Sequence, residues 1–252
     1  MAAEGKSIDA LSQFELTPTL GAVGKAVGFS QSNLYMLLAV GLISALMIWG
    51  MSRRAVVPGR LQAMAESAYE FVHDMVAGQI GDEGKRFFPF VFSLFMFILF
   101  GNLLGLLPYA FTFTSHIAVT FALAAVVFVL VTLVALAMHG MHFFSYFFPE
   151  GAPKVLAPLI IPIELISYLS RPVSLSVRLF ANMVAGHVML KVFASFVVMI
   201  GSAAGLVGIL GATLPLAVNV ALIGFELLVA FLQAYVFAIL TSIYLHDAVH
   251  LH

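Results

Sequence analysis

The uncharged stretch that decides the fold spans residues 87–149 and reads FFPFVFSLFMFILFGNLLGLLPYAFTFTSHIAVTFALAAVVFVLVTLVALAMHGMHFFSYFFP. It contains no Asp, Glu, Lys or Arg. Because one helical crossing of a bilayer needs about 20 apolar residues, this stretch is long enough for more than one crossing. The whole chain of 252 residues is 62% hydrophobic and 9% charged, whereas soluble domains carry about 25% charged residues. We therefore predict a polytopic membrane protein and exclude a soluble one.

Charge and residue usage exclude several classes of function. The net charge of −1 argues against a nucleic-acid-binding protein, which would carry a basic face. The chain has no cysteine, so disulfides, thiol nucleophiles and cysteine-ligated metals are excluded. It also lacks a phosphate-binding loop of the form GxxxxGK followed by Ser or Thr. We therefore expect no nucleotide chemistry on this chain.

Three segments have the length and composition of membrane spans: residues 34–51, 87–107 and 116–138. The first is followed by Arg53, Arg54 and Arg60, which predicts that this end faces the cytoplasm or matrix. The N-terminal segment 1–33 should then lie outside. Residues 60–80 place apolar and polar side chains on opposite faces at helical spacing, which predicts an amphipathic helix on the inner surface.

The remaining apolar sequence predicts two more helices, at about residues 155–200 and 213–246, joined by a Gly- and Ala-rich connection around 201–211. The fold is then all-α, with about five or six helices in one membrane domain of residues 34–252. No internal repeat is detectable, which argues against a transporter made of two duplicated halves. Prolines leave open whether Pro172 starts or kinks the first of these helices.

Both helices carry polar residues where lipid-facing side chains would be apolar. Steps of three and four residues place five polar side chains on one stripe of the first helix: Ser167, Arg171, Ser174, Arg178 and Asn182. Asn219, Glu226 and Gln233 follow at intervals of seven residues and line one face of the second helix over about 21 Å. An arginine in the middle of a span costs about 2.5 to 3.5 kcal/mol. Arg178 therefore needs a partner, a wet cavity or a functional role.

These charges suit a proton path that contains a block. His187 and Glu226, with Glu164, can take up and release protons, and Arg178 separates them as a permanent cation. A guanidinium does not deprotonate in a protein, so a proton cannot pass through it by relay. Its charge favours the ionised form of any carboxylate within about 4 to 6 Å. A carboxylate on a moving partner would then release its proton beside Arg178.

One motif resembles the signature of a known family. Residues 170–187, SRPVSLSVRLFANMVAGH, resemble the signature of subunit a of the F-type ATP synthase. The resemblance is joined, in the order expected for that family, by FGNLLGLLP at 100–108, LQAYVF at 232–237 and LTSIYL at 240–245. It extends over about residues 34–245.

The resemblance implies the stator half of a rotary proton motor. Members of this family form two aqueous half-channels that meet a ring of c subunits, each with a membrane-buried carboxylate, and the last two helices form a long tilted hairpin facing that ring. The other expected partners are the peripheral-stalk b subunits and the lipid bilayer. The translocated ion is expected to be H⁺, with Na⁺ left open, and no cofactor or metal is expected. A bacterial plasma membrane is favoured over a mitochondrial inner membrane.

The resemblance also assigns roles to individual residues. By similarity, Arg178 is the essential stator arginine. Asn182 and Gln233 match polar residues beside it. Asn219 is a further candidate for the proton path because of its spacing from Glu226 and Gln233, and not because of the resemblance. The matches to the half-channels are His187 and Glu226 for the outer one, and Glu164 and Ser174 for the inner one.

The same residues also allow purely structural interpretations. Arg178 could snorkel to the interface or pair with Glu226, and Arg171 could be an interface anchor or one half of a structural ion pair. Three amide side chains could simply join helices by hydrogen bonds: Asn182, Asn219 and Gln233.

Two other classes of function remain open on the residues alone. A stand-alone ion-coupled secondary transporter would bind a substrate at the midplane and transport it without partners. A membrane-embedded enzyme would need a catalytic pair, for which His246 and Asp247 are the adjacent candidates. A metal site is disfavoured, because the available histidines lie near interfacial loops or the terminus: His139, His142, His246, His250 and His252.

Overall fold

The computed structural model describes residues 14, 29–52, 57–107, 110–141, 143, 156–203 and 205–250. These residues form six α-helices: α1 Gln31–Ser52, α2 Arg60–Ile80, α3 Phe88–Gly105, α4 Ile117–His139, α5 Ala157–Ala203 and α6 Gly205–Val249. Two short 3-10 helices, Gly81–Arg86 and Phe113–Ser115, precede α3 and α4. The described ranges contain no β-strand, so the all-α prediction is confirmed.

Five of the six helices, all except α2, are long and apolar enough to cross a membrane. The predicted spans 34–51, 87–107 and 116–138 correspond to α1, α3 and α4, with ends that differ by a few residues. The predicted amphipathic segment 60–80 is α2. Most of the external segment 1–33 lies outside the described residues, as do Arg53, Arg54, His142 and His252.

The amphipathic helix α2 packs one face against the bundle. Ala65, Val72 and Val76 are buried, and Phe71 packs its ring against Phe231 and Tyr235 of α6. Leu61 and Met64, which belong to the same apolar face by spacing, are exposed. Exposed apolar side chains at one end of an amphipathic helix fit contact with lipid, so the inner-surface position stays a prediction.

The last two helices form an antiparallel hairpin. Three side-chain contacts across it set the register: Arg171 with Asp247, Asn182 with Gln233, and His187 with Glu226. The helices have 47 and 45 residues. At 1.5 Å per residue each is about 70 Å long, more than twice the hydrocarbon thickness of about 30 Å. Helices of this length fit a bilayer only when they tilt steeply or extend beyond it.

The turn of the hairpin is much shorter than the sequence suggested. The predicted helices end at about residue 200 and begin again at about 213, whereas α5 continues to Ala203 and α6 begins at Gly205. Gly205 has a φ of +55°, a left-handed conformation that glycine adopts without steric cost. The small residues serve helix packing, since a Cβ added at Gly201 would already lie 3.7 Å from Ala212 Cβ.

Proline does not start a new helix within this hairpin. Pro162 and Pro172 both lie inside α5, which is continuous from Ala157 to Ala203. Glu164 and Arg178 therefore belong to the same helix, and Pro172 does not start a new one.

The hairpin has one buried face and one exposed face. Leu175, Leu179 and Met183 of α5 are buried in the main apolar cluster, together with residues of α2, α3, α4 and α6. Val173 and Val177 on the other side of α5 are exposed. The site residues described next lie on or between these two faces.

Candidate functional site

Arg178 is exposed on α5, one turn after Ser174 and one turn before Asn182, both of which are also exposed. Within the described ranges, no carboxylate lies within 4.0 Å of its guanidinium. Glu226 lies instead beside His187, so the structure does not form the Arg178–Glu226 pair that the sequence left open. Arg178 is thus a cation in a spanning helix with no carboxylate partner among the described residues.

The two amides near Arg178 bind each other. Asn182 Nδ2 donates a hydrogen bond to Gln233 Oε1 at 2.7 Å and so joins α5 to α6. Gln233 is buried, and its Nε2 has no acceptor among the described residues. This hydrogen bond matches the structural interpretation of both amides, and it also holds the side chain of Asn182, one helical turn after Arg178.

His187 and Glu226 face each other across the hairpin. His187 Nε2 lies 3.7 Å from Glu226 Oε1, and the two side chains are only 12% and 4% exposed. Neither carboxylate oxygen of Glu226 has a hydrogen-bond partner in the described part of the chain. Gly186 makes this approach possible, because a Cβ at that position would lie 2.6 Å from Glu226 Oε1. The arrangement places a buried acid next to a buried imidazole.

Two further side chains contact His187, and sequence reasoning missed both. Thr112 Oγ1 lies 2.9 Å from His187 Nε2. The ring of Phe14 lies edge-on to the imidazole, with ring centroids 6.4 Å apart and planes at 79°. The only signal for Thr112 was its place in the polar run after α3, and Phe14 had none, because helical periodicity reports nothing about contacts made by loops and termini.

A cavity of about 370 Å³ lies between α5 and α6 and is large enough to hold several waters. Three site residues line it: Asn182, Glu226 and Gln233. The rest of its wall is mostly apolar and includes Phe225, Leu228 and Leu232. Those three side chains are exposed, so the cavity lies at the surface of the hairpin.

The remaining candidates lie apart from this cluster. Glu164 is half-buried about 21 Å before Arg178 along α5, and Ser174 lies about 6 Å before it. His187 lies about 13.5 Å after Arg178 on the same axis. Asn219 is half-buried about 10.5 Å from Glu226 toward the hairpin turn, and its Oδ1 has no donor in the described ranges. Arg178 therefore separates Glu164 and Ser174 from the histidine–acid pair.

Arg171 differs from Arg178 although both lie on one predicted stripe. Arg171 Nη1 donates to Asp247 Oδ2 at 3.4 Å, and its guanidinium lies 4.9 Å from the centre of the Tyr244 ring. The structural ion pair left open for Arg171 is therefore present. Asp247 is engaged in that pair and lies 3.9 Å from His246 Nδ1.

The histidines near the chain end do not gather into a metal centre in the described ranges. His139 Nε2 lies 3.2 Å from the carbonyl oxygens of both Ala248 and Val249, in the last turn of α6. His246 stacks on His250 with ring centroids 4.7 Å apart. Among the described residues, no group of three or more His, Asp or Glu side chains is placed to hold a metal ion. The contact of His139 is typical of a side chain that caps a helix C-terminus.

Comparison with known proteins gives consistent results over the whole chain. The family model for the ATP synthase A chain matches residues 33–246. ATP synthase subunit a of Granulibacter bethesdensis is 64% identical over 252 residues, which is 100% of both chains. The subunit a of Acidiphilium cryptum is 59% identical over 250 residues, covering 99% of this chain and 100% of that relative. The subunit a of Rhodospirillum rubrum is 52% identical over 244 residues, covering 96% and 98%.

These relatives are bacterial, and five helices of this chain have the length and composition of membrane spans. The chain is therefore a multi-pass protein of the inner membrane. With a family match that covers most of its length and relatives of this identity, the chain belongs to the ATP synthase subunit a family.

Proposed function

We propose that this chain is the proton-translocating stator subunit of an F-type ATP synthase, in which Arg178 separates two aqueous half-channels that lead to a rotating ring of c subunits. The observation that carries the proposal is the exposed position of Arg178 on a spanning helix, with no carboxylate beside it in the described ranges. A cation in the middle of a membrane-spanning helix costs about 2.5 to 3.5 kcal/mol unless another group compensates it. A carboxylate on a neighbouring subunit would supply that compensation.

The chemistry of a guanidinium suits the role of a barrier. It stays protonated, so it neither accepts a proton from one half-channel nor passes one to the other. It also favours the ionised form of a rotor carboxylate that comes within about 4 to 6 Å. The rotor carboxylate would release its proton on approach to Arg178 and take up another proton after it leaves.

The outer half-channel would use His187 and Glu226. Both side chains exchange protons, and they lie 3.7 Å apart next to a cavity of about 370 Å³ that reaches the hairpin surface. Glu164 and Ser174 would belong to the inner half-channel, because they lie on the other side of Arg178 along α5. A proton could then reach the rotor from either group of residues, but could not cross between them past Arg178.

The proposal assigns no nucleotide chemistry to this chain, so ATP synthesis would take place on other subunits. One charge that crosses 100 mV yields about 2.3 kcal/mol, so several protons must be combined for each ATP. A leak past Arg178 would dissipate that energy. The peripheral-stalk b subunits are proposed as the second set of protein partners, which hold this subunit still while the ring turns.

Cross-linking tests whether the exposed face of Arg178 meets the ring. The chain has no cysteine, so a single introduced cysteine reports on one position. Val177→Cys lies beside Arg178 on an exposed part of α5, and Val126→Cys is a matched control on an exposed part of α4. The c subunit carries a second introduced cysteine, placed next to its membrane carboxylate. We expect oxidation to link Val177→Cys to this c subunit and to leave Val126→Cys unlinked. Equal linking at both positions, or linking of Val126→Cys alone, would contradict the proposal.

A further inference from the structure

Thr112 holds the imidazole of His187 more closely than Glu226 does. Its Oγ1 lies 2.9 Å from His187 Nε2, whereas Glu226 Oε1 lies 3.7 Å from the same nitrogen. The first distance is that of a hydrogen bond and the second is too long for one. Thr112 is 5% exposed, so little solvent competes for its hydroxyl. Thr112 is therefore the residue that hydrogen-bonds Nε2.

The segment that carries Thr112 is fixed against α3 by shape. This segment, residues 111–115, is buried throughout and is called the rim segment here. The rim segment packs against two glycines of α3. A Cβ at Gly105 would collide with Thr112 Oγ1, and a Cβ at Gly101 would collide with the ring of Phe113. The absence of side chains at these two positions allows the rim segment to lie directly on the helix.

Hydrogen bonds hold the rim segment in the same place. Thr114 Oγ1 donates to Asn102 Oδ1 at 2.8 Å, and Asn102 Nδ2 in turn donates to the carbonyl of Ala230 in α6 at 3.3 Å. The Ser115 hydroxyl donates to the carbonyl of Thr112. The rim segment is thus tied to α3 and, through Asn102, to the helix that carries Glu226. Thr112 and Glu226 are therefore connected through Asn102, and both lie beside the same nitrogen of His187.

The hydroxyl of Thr112 matches both protonation states of Nε2. A hydroxyl can donate or accept, so it donates to an unprotonated Nε2 and accepts from an Nε2–H group. In a transfer from Glu226, the Thr112 hydroxyl would first turn its proton away from Nε2, and the carboxyl proton would then move to the freed lone pair, leaving a carboxylate and an imidazolium; the reverse transfer would restore both neutral groups. Thr112 would rotate its hydroxyl at each transfer and keep the ring in place. A shift of about 1 Å would bring Nε2 and the carboxyl group to hydrogen-bond distance.

We propose that Thr112 is a positioning residue for proton transfer between His187 and Glu226, and that the rim segment is its rigid support. The inference rests on the proposed function, because it presumes that protons pass through this pair. Thr112 does not itself belong to either helix of the hairpin. The proposal therefore extends the machinery of the outer half-channel to the connection between α3 and α4.

The test compares variants of the assembled complex in inverted membrane vesicles. Thr112→Val removes the hydroxyl at nearly constant volume, Thr112→Ser keeps it, and Thr120→Val is a matched control. Thr120 is also buried and bonds Ser176 Oγ at 3.2 Å, away from His187. The measurements are the amount of assembled complex and the rate of ATP-driven proton pumping between about pH 6 and pH 9. This range begins near the pH at which an ordinary histidine is half protonated and extends to pH values at which it is neutral.

We expect Thr112→Val to assemble normally, to pump about two- to ten-fold more slowly and to change the pH profile of pumping. Thr112→Ser and Thr120→Val should keep the rate and the profile of the unmodified complex. A merely structural role for the hydroxyl would lower assembly without changing the pH profile. Unchanged pumping by Thr112→Val, or equal losses in Thr112→Val and Thr120→Val, would overturn the inference.

Two additional variants keep every outcome informative. If Thr112→Val fails to assemble, Thr112→Ser is compared with Thr112→Ala, since both fit the space of threonine and differ by the hydroxyl. Pumping by the serine variant alone supports the inference, and equal pumping by both overturns it. Arg178→Ala separates this inference from the proposed function. Normal pumping by Arg178→Ala overturns both, whereas its loss together with normal pumping by Thr112→Val overturns only the role of Thr112.

Discussion

Gly186 offers a test of whether the separation of Glu226 and His187 limits proton transport. In Gly186→Ala, the new Cβ would lie 2.6 Å from Glu226 Oε1 and 2.9 Å from its Cδ, where ordinary contacts start at 3.4 Å. The carboxylate must therefore withdraw by about 1 Å. A displacement of that size at a reacting group costs up to about 100-fold in rate. We expect a loss of ATP-driven proton pumping of about 10- to 100-fold.

The same substitution should change stability much less than it changes transport. Overpacking costs about 1 to 3 kcal/mol, but alanine is better than glycine in a helix interior by about 0.5 to 1 kcal/mol. The two effects oppose each other and leave a net destabilisation of roughly 0 to 2.5 kcal/mol. Gly41→Ala in α1 is the matched control, since an added Cβ there meets nothing within 4 Å. We expect that control to assemble and pump normally.

A shorter acid distinguishes displacement of Glu226 from general damage. Glu226→Asp removes one methylene, and so it relieves the collision with the methyl group that Gly186→Ala adds. On the logarithmic scale, the summed pumping losses of the two single variants should therefore exceed the loss of the double variant. The assay is ATP-driven acidification of inverted vesicles, normalised to the amount of assembled complex. Normal pumping by Gly186→Ala, or equal losses in Gly186→Ala and Gly41→Ala, would refute the reasoning.

Three other predictions concern contacts around the site. Arg171→Gln and Asp247→Asn should each destabilise the protein by about 1 kcal/mol or less, measured as a lower thermal inactivation temperature of the complex. The double variant should lose less stability than the sum of the two single variants, and additive losses would argue against the ion pair. Asn182→Leu should leave the buried Gln233 amide without its partner, at a cost of about 1 to 3 kcal/mol, and lower pumping; unchanged pumping and stability would argue against the bond. His139→Leu should speed amide hydrogen exchange in the last turn of α6, as measured by mass spectrometry, and unchanged exchange would count against the cap.

Apolar length and helical periodicity predicted the parts of this structure that depend on one helix at a time. The apolar spans at 34–51, 87–107 and 116–138 and the amphipathic segment 60–80 appear as helices with similar ends. The length of an apolar run and the apolar face of an amphipathic helix are properties of the segment itself, so both are visible in the sequence. The same reasoning placed Ser174, Arg178 and Asn182 on one face of α5, and all three are exposed there.

Contacts between elements could not be read in this way. Arg171 and Arg178 lie on the same stripe by spacing, but within the described ranges only Arg171 meets an acid, because Asp247 of α6 packs beside it. Thr112 was missed because its role depends on how the rim segment lies on α3. The Gly- and Ala-rich stretch at 201–211 did not reveal where the hairpin turns, because glycine and alanine occur both in loops and in closely packed helices. In each case the deciding information is the identity of a neighbour that is distant in sequence.

The central claim is that Arg178 separates two proton paths, and the most direct test is passive proton flux through the assembled complex. We would measure ATP-driven pumping and passive leak in vesicles that carry Arg178→Ala, with Lys191→Gln as a control that removes another cation from α5. The account predicts that Arg178→Ala assembles, loses pumping and leaks protons faster, while Lys191→Gln pumps normally without extra leak. Near-normal pumping by assembled Arg178→Ala, with no rise in leak, would contradict the account and return Arg178 to a structural role.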